Sequence, residues 1–264
     1  MNKFFSILFL FVIATSCSGY QKAFKSEDVA LKYAVAEKMY DSKKYAKAIR
    51  LFEQIGPHYK GKPQAEKLFY MFAQSYYNTK QYYLSGYQFE SFVASYPKSE
   101  KLEEAAYLGA DSYSRLSVAY TLDQGDTYKA IDKMQNFIDR YPNSEYLPLA
   151  NAKIKELREK LEKKAFEIAK QYNTISDYKA SMVAMDNFLI DYPESYLKED
   201  ALYWKFDSAY KLAINSIPSK MEDRLHSAKE VYEKFEKQFP DTKYKTQAGE
   251  MLARINKDLQ QFSK

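Results

Sequence analysis

The chain is poor in the residues that most enzymes and small stapled domains depend on. One cysteine, Cys17, two histidines, His58 and His226, and one tryptophan, Trp204, stand among 264 residues. A lone thiol has no disulfide partner within the chain, and two histidines with one cysteine do not make a zinc site. Only 7 glycines and 8 prolines leave little material for the hairpins of a β fold. No phosphate-cradling glycine loop, Gly-x-Ser-x-Gly elbow or His-Glu-x-x-His pattern occurs. Carboxylate neighbours such as Glu103 and Glu104 sit at helical positions with nothing beside them to perturb their ionisation. These absences argue against catalysis, a cofactor or a resident metal. The net charge is +5 and the pI about 8.8, yet acids and bases alternate without a basic stripe that could track a phosphate backbone. Nucleic acid is therefore not an expected partner. The longest apolar run, Phe4 to Ile13 broken only by Ser6, spans ten residues, where a membrane-crossing helix needs about twenty.

What the chain does have is aromatic side chains, 26 tyrosines and 17 phenylalanines, set in a recurring template. Tyr82, Ser85, Phe89 and Phe92 step by three, four and three residues, which places them on one helical face, and Pro97 and Ser99 follow. Proline stops the helix because it lacks an amide hydrogen and restricts the residue before it, and Ser99 is a natural N-cap for the next. The template returns as Thr127, Ala130, Met134, Phe137, Pro142, Ser144, then as Tyr178, Ser181, Met185, Phe188, Pro193, Ser195. It returns again as Leu225, Ala228, Tyr232, Phe235, Pro240, Thr242. A worn copy, Tyr45, Ala48, Phe52 and Ile55, comes first, with Lys60 in place of the proline.

Each template pairs with a preceding helical pattern: Ala36, Met39 and Tyr40, then Ala65–Asn78 with Ala73, then Ala106, Tyr107, Ala110 and Tyr113. Small residues let helix backbones approach where they cross, and aromatics fill the rest. The expected fold is all-α, a solenoid of five tetratricopeptide-like helix pairs with a C-terminal capping helix. The repeats fall at about 26–60, 63–98, 99–143, 144–194 and 195–241, within a repeat domain over 26–264. An end helix at 244–262 carries Ala248, Leu252, Ile255, Leu259 and Phe262 on one face. Ser26 is placed to cap the first helix, and Asp123 to Asp126 read as a turn inside the third repeat. In the fourth, Ile154, Leu157, Leu161 and Ile168 make a buried stripe, while Glu156 with Lys160 and Glu159 with Lys163 are spaced as surface ion pairs. Trp204 reads as core filler.

Residues 1–16 read as a leader: Lys3, the apolar run, then the small residues Ala14, Thr15 and Ser16. Cys17 follows at the place where lipoprotein processing leaves an acylated N-terminal cysteine. Ala14 stands three before it where leucine is usual, and Ala14-Thr15-Ser16 would also suit an ordinary signal peptidase. Residues 17–25 read as a polar tether, and no acidic run follows Cys17, so the protein is expected to face the periplasm.

From Tyr141 the chain resembles a known family. Tyr141-Pro142-Asn143-Ser144-Glu145-Tyr146, a long charged helix, then Tyr178-x-Ala180-x5-Asp186-x-Phe188-Leu189-x-Asp191-Tyr192-Pro193 is similar to the BamD family, tetratricopeptide-repeat lipoproteins of the outer-membrane β-barrel assembly machinery. The resemblance implies a scaffold without catalysis, lipid-anchored at Cys17 to the outer membrane. It implies two partners: the periplasmic domains of the barrel-forming assembly subunit, through the C-terminal repeats, and unfolded outer-membrane proteins, through the N-terminal ones. In such a solenoid the first helix of each pair lines the concave side, which puts Tyr33, Glu37, Tyr40, Tyr70, Gln74, Tyr77, Tyr107 and Asp111 forward as peptide-binding residues. Several of these tyrosines could instead pack between repeats. A lipid-anchored adaptor for other envelope or cell-wall proteins fits the same fold.

Overall fold

A computed structural model describes residues 19–262, and every regular element among them is helical. Eleven of those helices are labelled here. Five pairs are α1 (Val29–Asp41) with α2 (Tyr45–Tyr59), α3 (Ala65–Asn78) with α4 (Tyr82–Ser95), α5 (Leu102–Ser114) with α6 (Gly125–Arg140), α7 (Leu147–Thr174) with α8 (Tyr178–Asp191), and α9 (Lys198–Ile214) with α10 (Pro218–Gln238). The last helix, α11 (Lys245–Leu259), packs on α10 and α9. Cys17 and the leader lie outside the described residues.

The chain divides into two compact units, the first covering the described residues to Val118 with Asp123–Leu157, the second Ala119–Leu122 with Arg158 onward. The boundary falls inside α7. In the first unit consecutive helices pack on one another, and α3 also touches α1 and α5, so the first helices of the pairs share one side.

The template rings are core. Phe52, Phe89, Phe92, Phe137, Phe188 and Phe235 are all buried, as are Met134 and Met185. At the end of α4, α6, α8 and α10 the phenylalanine sits between two other aromatics, whereas α2 has Ile55 at that place. Phe92 meets Tyr70 and Tyr96 at 5.6 and 5.1 Å. Phe137 meets Tyr107 and Tyr141 at 5.7 and 5.4 Å. Phe188 meets Phe166 and Tyr192 at 5.9 and 5.3 Å, and Phe235 meets Tyr203 and Phe239 at 6.3 and 6.4 Å. One partner comes from the first helix of the pair and the other immediately precedes the proline. Edge-to-face and tilted pairs of this kind add about 0.5–1.5 kcal/mol beyond burial.

The proline punctuation works as a fixed turn. Tyr96, Tyr141, Tyr192 and Phe239 all leave the α region, with φ from −127° to −133° and ψ from 62° to 71°, as a residue before proline must. Ser99, however, is not the helix N-cap. Its amide bonds back to Tyr96 O and its hydroxyl accepts from Lys101 N at 3.0 Å, closing a turn before α5 begins. Ser144, Ser195 and Thr242 accept from Tyr146, Leu197 and Tyr244 amides in the same way. The serine thus caps the turn, because three residues must reverse direction before helical dihedrals can start.

Other expectations need adjustment. Residues 19–25, read as part of a tether, are helical, with Tyr20 and Ala23 buried. Asp28, not Ser26, caps α1, accepting from Ala30 and Leu31 amides at 2.9 and 3.1 Å, while Ser26 accepts from Asp28 N. The connection before α6 is longer than the expected turn: Gly125 already begins the helix, its amide held by Asp123 at 2.9 Å. On α7 the buried stripe runs Ala150, Ile154, Leu157, Leu161, Phe166, Ala169, whereas Ile168 is 48% exposed. On the outer side of α7, Glu156 pairs with Lys153 and Lys163 with Glu167, both at 2.6 Å. Trp204 is only partly buried, packed against the two core clusters of the second unit with Lys170 Nζ 4.7 Å over its ring.

Two glycines have a steric reason. A Cβ on Gly86 would lie 2.8 Å from the Tyr113 ring, and one on Gly109 3.2 Å from Phe89 Cβ, so α4 and α5 cross at a distance that only hydrogen permits. Replacing Phe92 or Phe188 by alanine should lower stability by about 3–5 kcal/mol through cavity formation. Tyr87→Ala, at a side chain 61% exposed, should change it by under about 0.5 kcal/mol. Urea unfolding of the three variants checks both.

Candidate peptide-binding face

The first helices of the first unit, α1, α3 and α5, present a row of side chains that bond from one helix to the next. A register of 34 residues runs through it, because that is the distance between equivalent positions of adjacent pairs. Tyr40 donates its hydroxyl to Gln74 Oε1, and Gln74 Nε2 donates in turn to Tyr70 at 2.9 Å. Tyr77 donates to Asp111 Oδ2 at 2.5 Å. Glu37 forms an ion pair with Lys67. The ring of Tyr33 lies 5.1 Å from that of Tyr59, and Tyr107 stacks on Tyr146 at 5.0 Å with planes 15° apart.

All eight residues expected on this face therefore lie on its three helices, but their roles differ. Asp111 is 2% exposed. It accepts from Arg115 Nε at 2.6 Å and Ser114 Oγ at 3.2 Å as well as from Tyr77, so it organises its neighbours from beneath the surface. The tyrosines are half-buried. Tyr70 has its ring edge-on to Phe89 and Phe92 and Lys101 Nζ at 5.6 Å, and Tyr77 lies under the Arg115 guanidinium at 5.2 Å. What remains partly exposed is the tyrosines, Gln74 and a rim of ion pairs. The cations of that rim are Lys67, Lys101 and Arg115, with side chains 62%, 55% and 45% exposed and paired with Glu37, Glu104 and Asp111. Sequence reading missed these cations and Tyr146. Arg115 was findable, one helical turn after Asp111; Tyr146 was not, since it reaches the face from the start of α7.

The second unit repeats the buried part of this arrangement with other residues. Asn173 Nδ2 donates to Asp207 at 2.7 Å and to Ser208 Oγ at 2.8 Å, and Lys211 bridges Asp207 and Asn173 at 2.7 and 3.1 Å. Ser208 donates to Ser181, and Ser181 to Ala169 O. Each residue stands 96 positions after its counterpart: Tyr77, Asp111, Arg115, Ser112, Ser85 and Ala73, where Ser112 donates to Ser85 and Ser85 to Ala73 O. Tyr203 stacks on Tyr244 at 3.7 Å as Tyr107 does on Tyr146. A buried carboxylate flanked by a cation one turn on is thus built twice, and satisfied both times, as burial of a charge requires.

Among the described residues, no group of three or more histidines, cysteines or carboxylates is placed to hold a metal ion, and no helix is long and apolar enough to cross a membrane.

A family model described as YfiO, outer membrane lipoprotein, matches residues 26–225 and again 172–262. Among curated proteins, none matches significantly. One solved structure that the chain resembles is described as a kinesin light chain of nearly identical tetratricopeptide-like repeats from Podosopora anserina. It is 12% identical, over 86% of this chain and 98% of that one, with a TM-score of 0.32, a likeness too loose to add to what the helices show.

Burial, more than any neighbour, holds the face's phenols neutral. Tyr40 is pushed up to about 12 from an ordinary 10.0 by burial, with Tyr45 and Glu104 adding to it. Tyr70 and Tyr77 are raised too, by burial first and then by the Glu104 and Asp111 carboxylates. The folded chain thus keeps protons that the unfolded chain releases above pH about 10, so stability falls as pH rises through the window from about 10 to 12. Lys67 and Lys101, raised by Glu37 and Glu104, act in the same direction. Thermal unfolding followed by helicity should give a midpoint that is flat below pH about 9.5 and drops steeply above about 10. Tyrosinate absorption should rise together with helix loss; full ionisation of an intact helical fold would contradict the assignment.

Proposed function

The chain belongs to the family of outer membrane lipoproteins whose model it matches, and from that membership we propose that it is a BamD-like scaffold of the outer-membrane protein assembly complex. In this reading it is anchored through acylated Cys17, faces the periplasm, binds the barrel-forming assembly subunit and receives unfolded outer-membrane proteins for insertion. The observation that supports it is the face on α1, α3 and α5. A peptide-holding surface needs apolar area that costs little entropy to order, together with polar groups that fix direction, and half-buried tyrosines supply both. The hydroxyls of Tyr40 and Tyr77 are already engaged between helices, so those rings are preorganised and less is lost on binding. The exposed heads of Lys67, Lys101 and Arg115, each already balanced by an acid, keep N–H donors that the carboxylate ending a C-terminal targeting strand would accept from, and a terminal aromatic would lie against the tyrosines. No bond is made or broken in this role: the protein would hold one chain and present it to another.

Two measurements test the reading. Crosslinking the mature protein in cells should trap a large barrel-forming subunit; capture of a cell-wall enzyme in its place would favour the adaptor role. In a fluorescence titration with a C-terminal targeting peptide, Tyr40→Ala combined with Tyr77→Ala should raise Kd at least tenfold, about 1.4 kcal/mol, with helicity retained. Unchanged affinity would remove the peptide from this face.

A further inference from the structure

The surplus charge of this chain is concentrated at one end. Residues 19–50 hold eight Lys and Arg against four Asp and Glu, close to the whole excess of a protein whose net charge is +5. The helix at 19–25 sets these cations in place. Tyr20 is 5% exposed and Ala23 fully buried, Phe24 packs on Tyr20 at 5.9 Å, and both rings join the core of α1, α2 and α3. Lys22 and Lys25 are left on the outer side, both exposed. Lys47, on the first turn of α2, lies with its ammonium 5.2 Å from the Tyr20 ring, which brings α2 alongside. Lys43, in the turn before α2, and Arg50, one turn into it, are exposed as well. Of the four acids in 19–50, Asp28 is occupied in capping α1 and Glu37 in pairing with Lys67, which leaves Glu27 and Asp41 exposed beside the five cations.

The position of this surface on the chain decides what it meets. Two peptide units separate Cys17 from Gly19, and they can span no more than about 7 Å. That is within one Debye length, about 8–10 Å, of anything Cys17 is fixed to. We propose that Lys22, Lys25, Lys43, Lys47 and Arg50 form a docking surface for the anionic phospholipid headgroups of a bilayer, seating the first helix pair on the membrane beside the anchor. The inference rests on acylation of Cys17 only for the closeness of the bilayer; the charge and the packing of Tyr20 are independent of it. Cations near an anionic leaflet add electrostatic attraction to whatever an acyl chain supplies, and a second attachment fixes orientation where one alone would leave a swivel.

The test uses the processed chain from residue 17 with Cys17→Ser, so that no acyl group contributes, floated with vesicles of phosphatidylcholine alone or with one-third phosphatidylglycerol. Expected is co-flotation with the anionic vesicles only, lost at high salt. Partition should fall at least tenfold in Lys22→Glu/Lys25→Glu/Arg50→Glu at unchanged helicity. A charge-matched control in α10, Lys220→Glu/Lys229→Glu/Lys234→Glu, should bind like the parent. The proposal is overturned by absence of binding to anionic vesicles, by equal binding to neutral ones, or by equal losses in both triple variants. Incorporation of labelled palmitate into the full chain, but not into its Cys17→Ser variant, reports on the anchor separately.

Discussion

A phenylalanine ring at the end of four of the five second helices, clasped between an aromatic from the first helix and the aromatic that precedes the proline, is the constraint on which the rest of the structure depends. It joins three levels at one point. The ring closes a helix pair, its neighbour Tyr96, Tyr141, Tyr192 or Phe239 is held where proline forces the backbone out of the helix, and the turn that follows delivers the next first helix at a set angle. Since the backbone dihedrals at these four residues agree within about 10°, each pair is handed on in nearly the same way.

That repetition is why the fold was legible in the residues. Five aromatic templates at three- and four-residue steps gave helix, face and pairing together, and burial of the template rings follows from the pattern. Legibility ended where a side chain's fate depends on a partner far away in sequence. Ile168 continues the helical stripe of α7 arithmetically, yet Phe166 and Ala169 are the ones that meet α8; a drift of one residue over a long helix is enough to turn the face. The polar look of residues 18–25 hid Tyr20 and Phe24, because two aromatics in eight residues show no period of their own.

The candidate face shows the same division. Its eight residues could be read from the 34-residue register, since equivalent positions on stacked helices must adjoin. Which of them touch solvent could not be read, because Asp111 and Tyr77 look alike in the register while one is buried and the other half-exposed. Burial of the carboxylate is compensated by Arg115, whose own head stays partly in water, so one residue both satisfies the interior and charges the rim. Stability and recognition are coupled there: a substitution at Arg115 would touch both.

The 96-residue echo of Tyr77, Asp111 and Ser112 in Asn173, Asp207 and Ser208 carries a consequence for how such a chain can change length. The interface between helix pairs comes in two kinds, one with a buried carboxylate and serine couple and one without, and the carboxylate kind recurs after two pairs. Excising a single pair would set a face that offers an acid against one that lacks the Tyr77 hydroxyl or Asn173 amide that meets it. Excising or inserting two would restore the match. The grammar of this chain is therefore a couplet, and lengthening or shortening by couplets is the change its packing would tolerate.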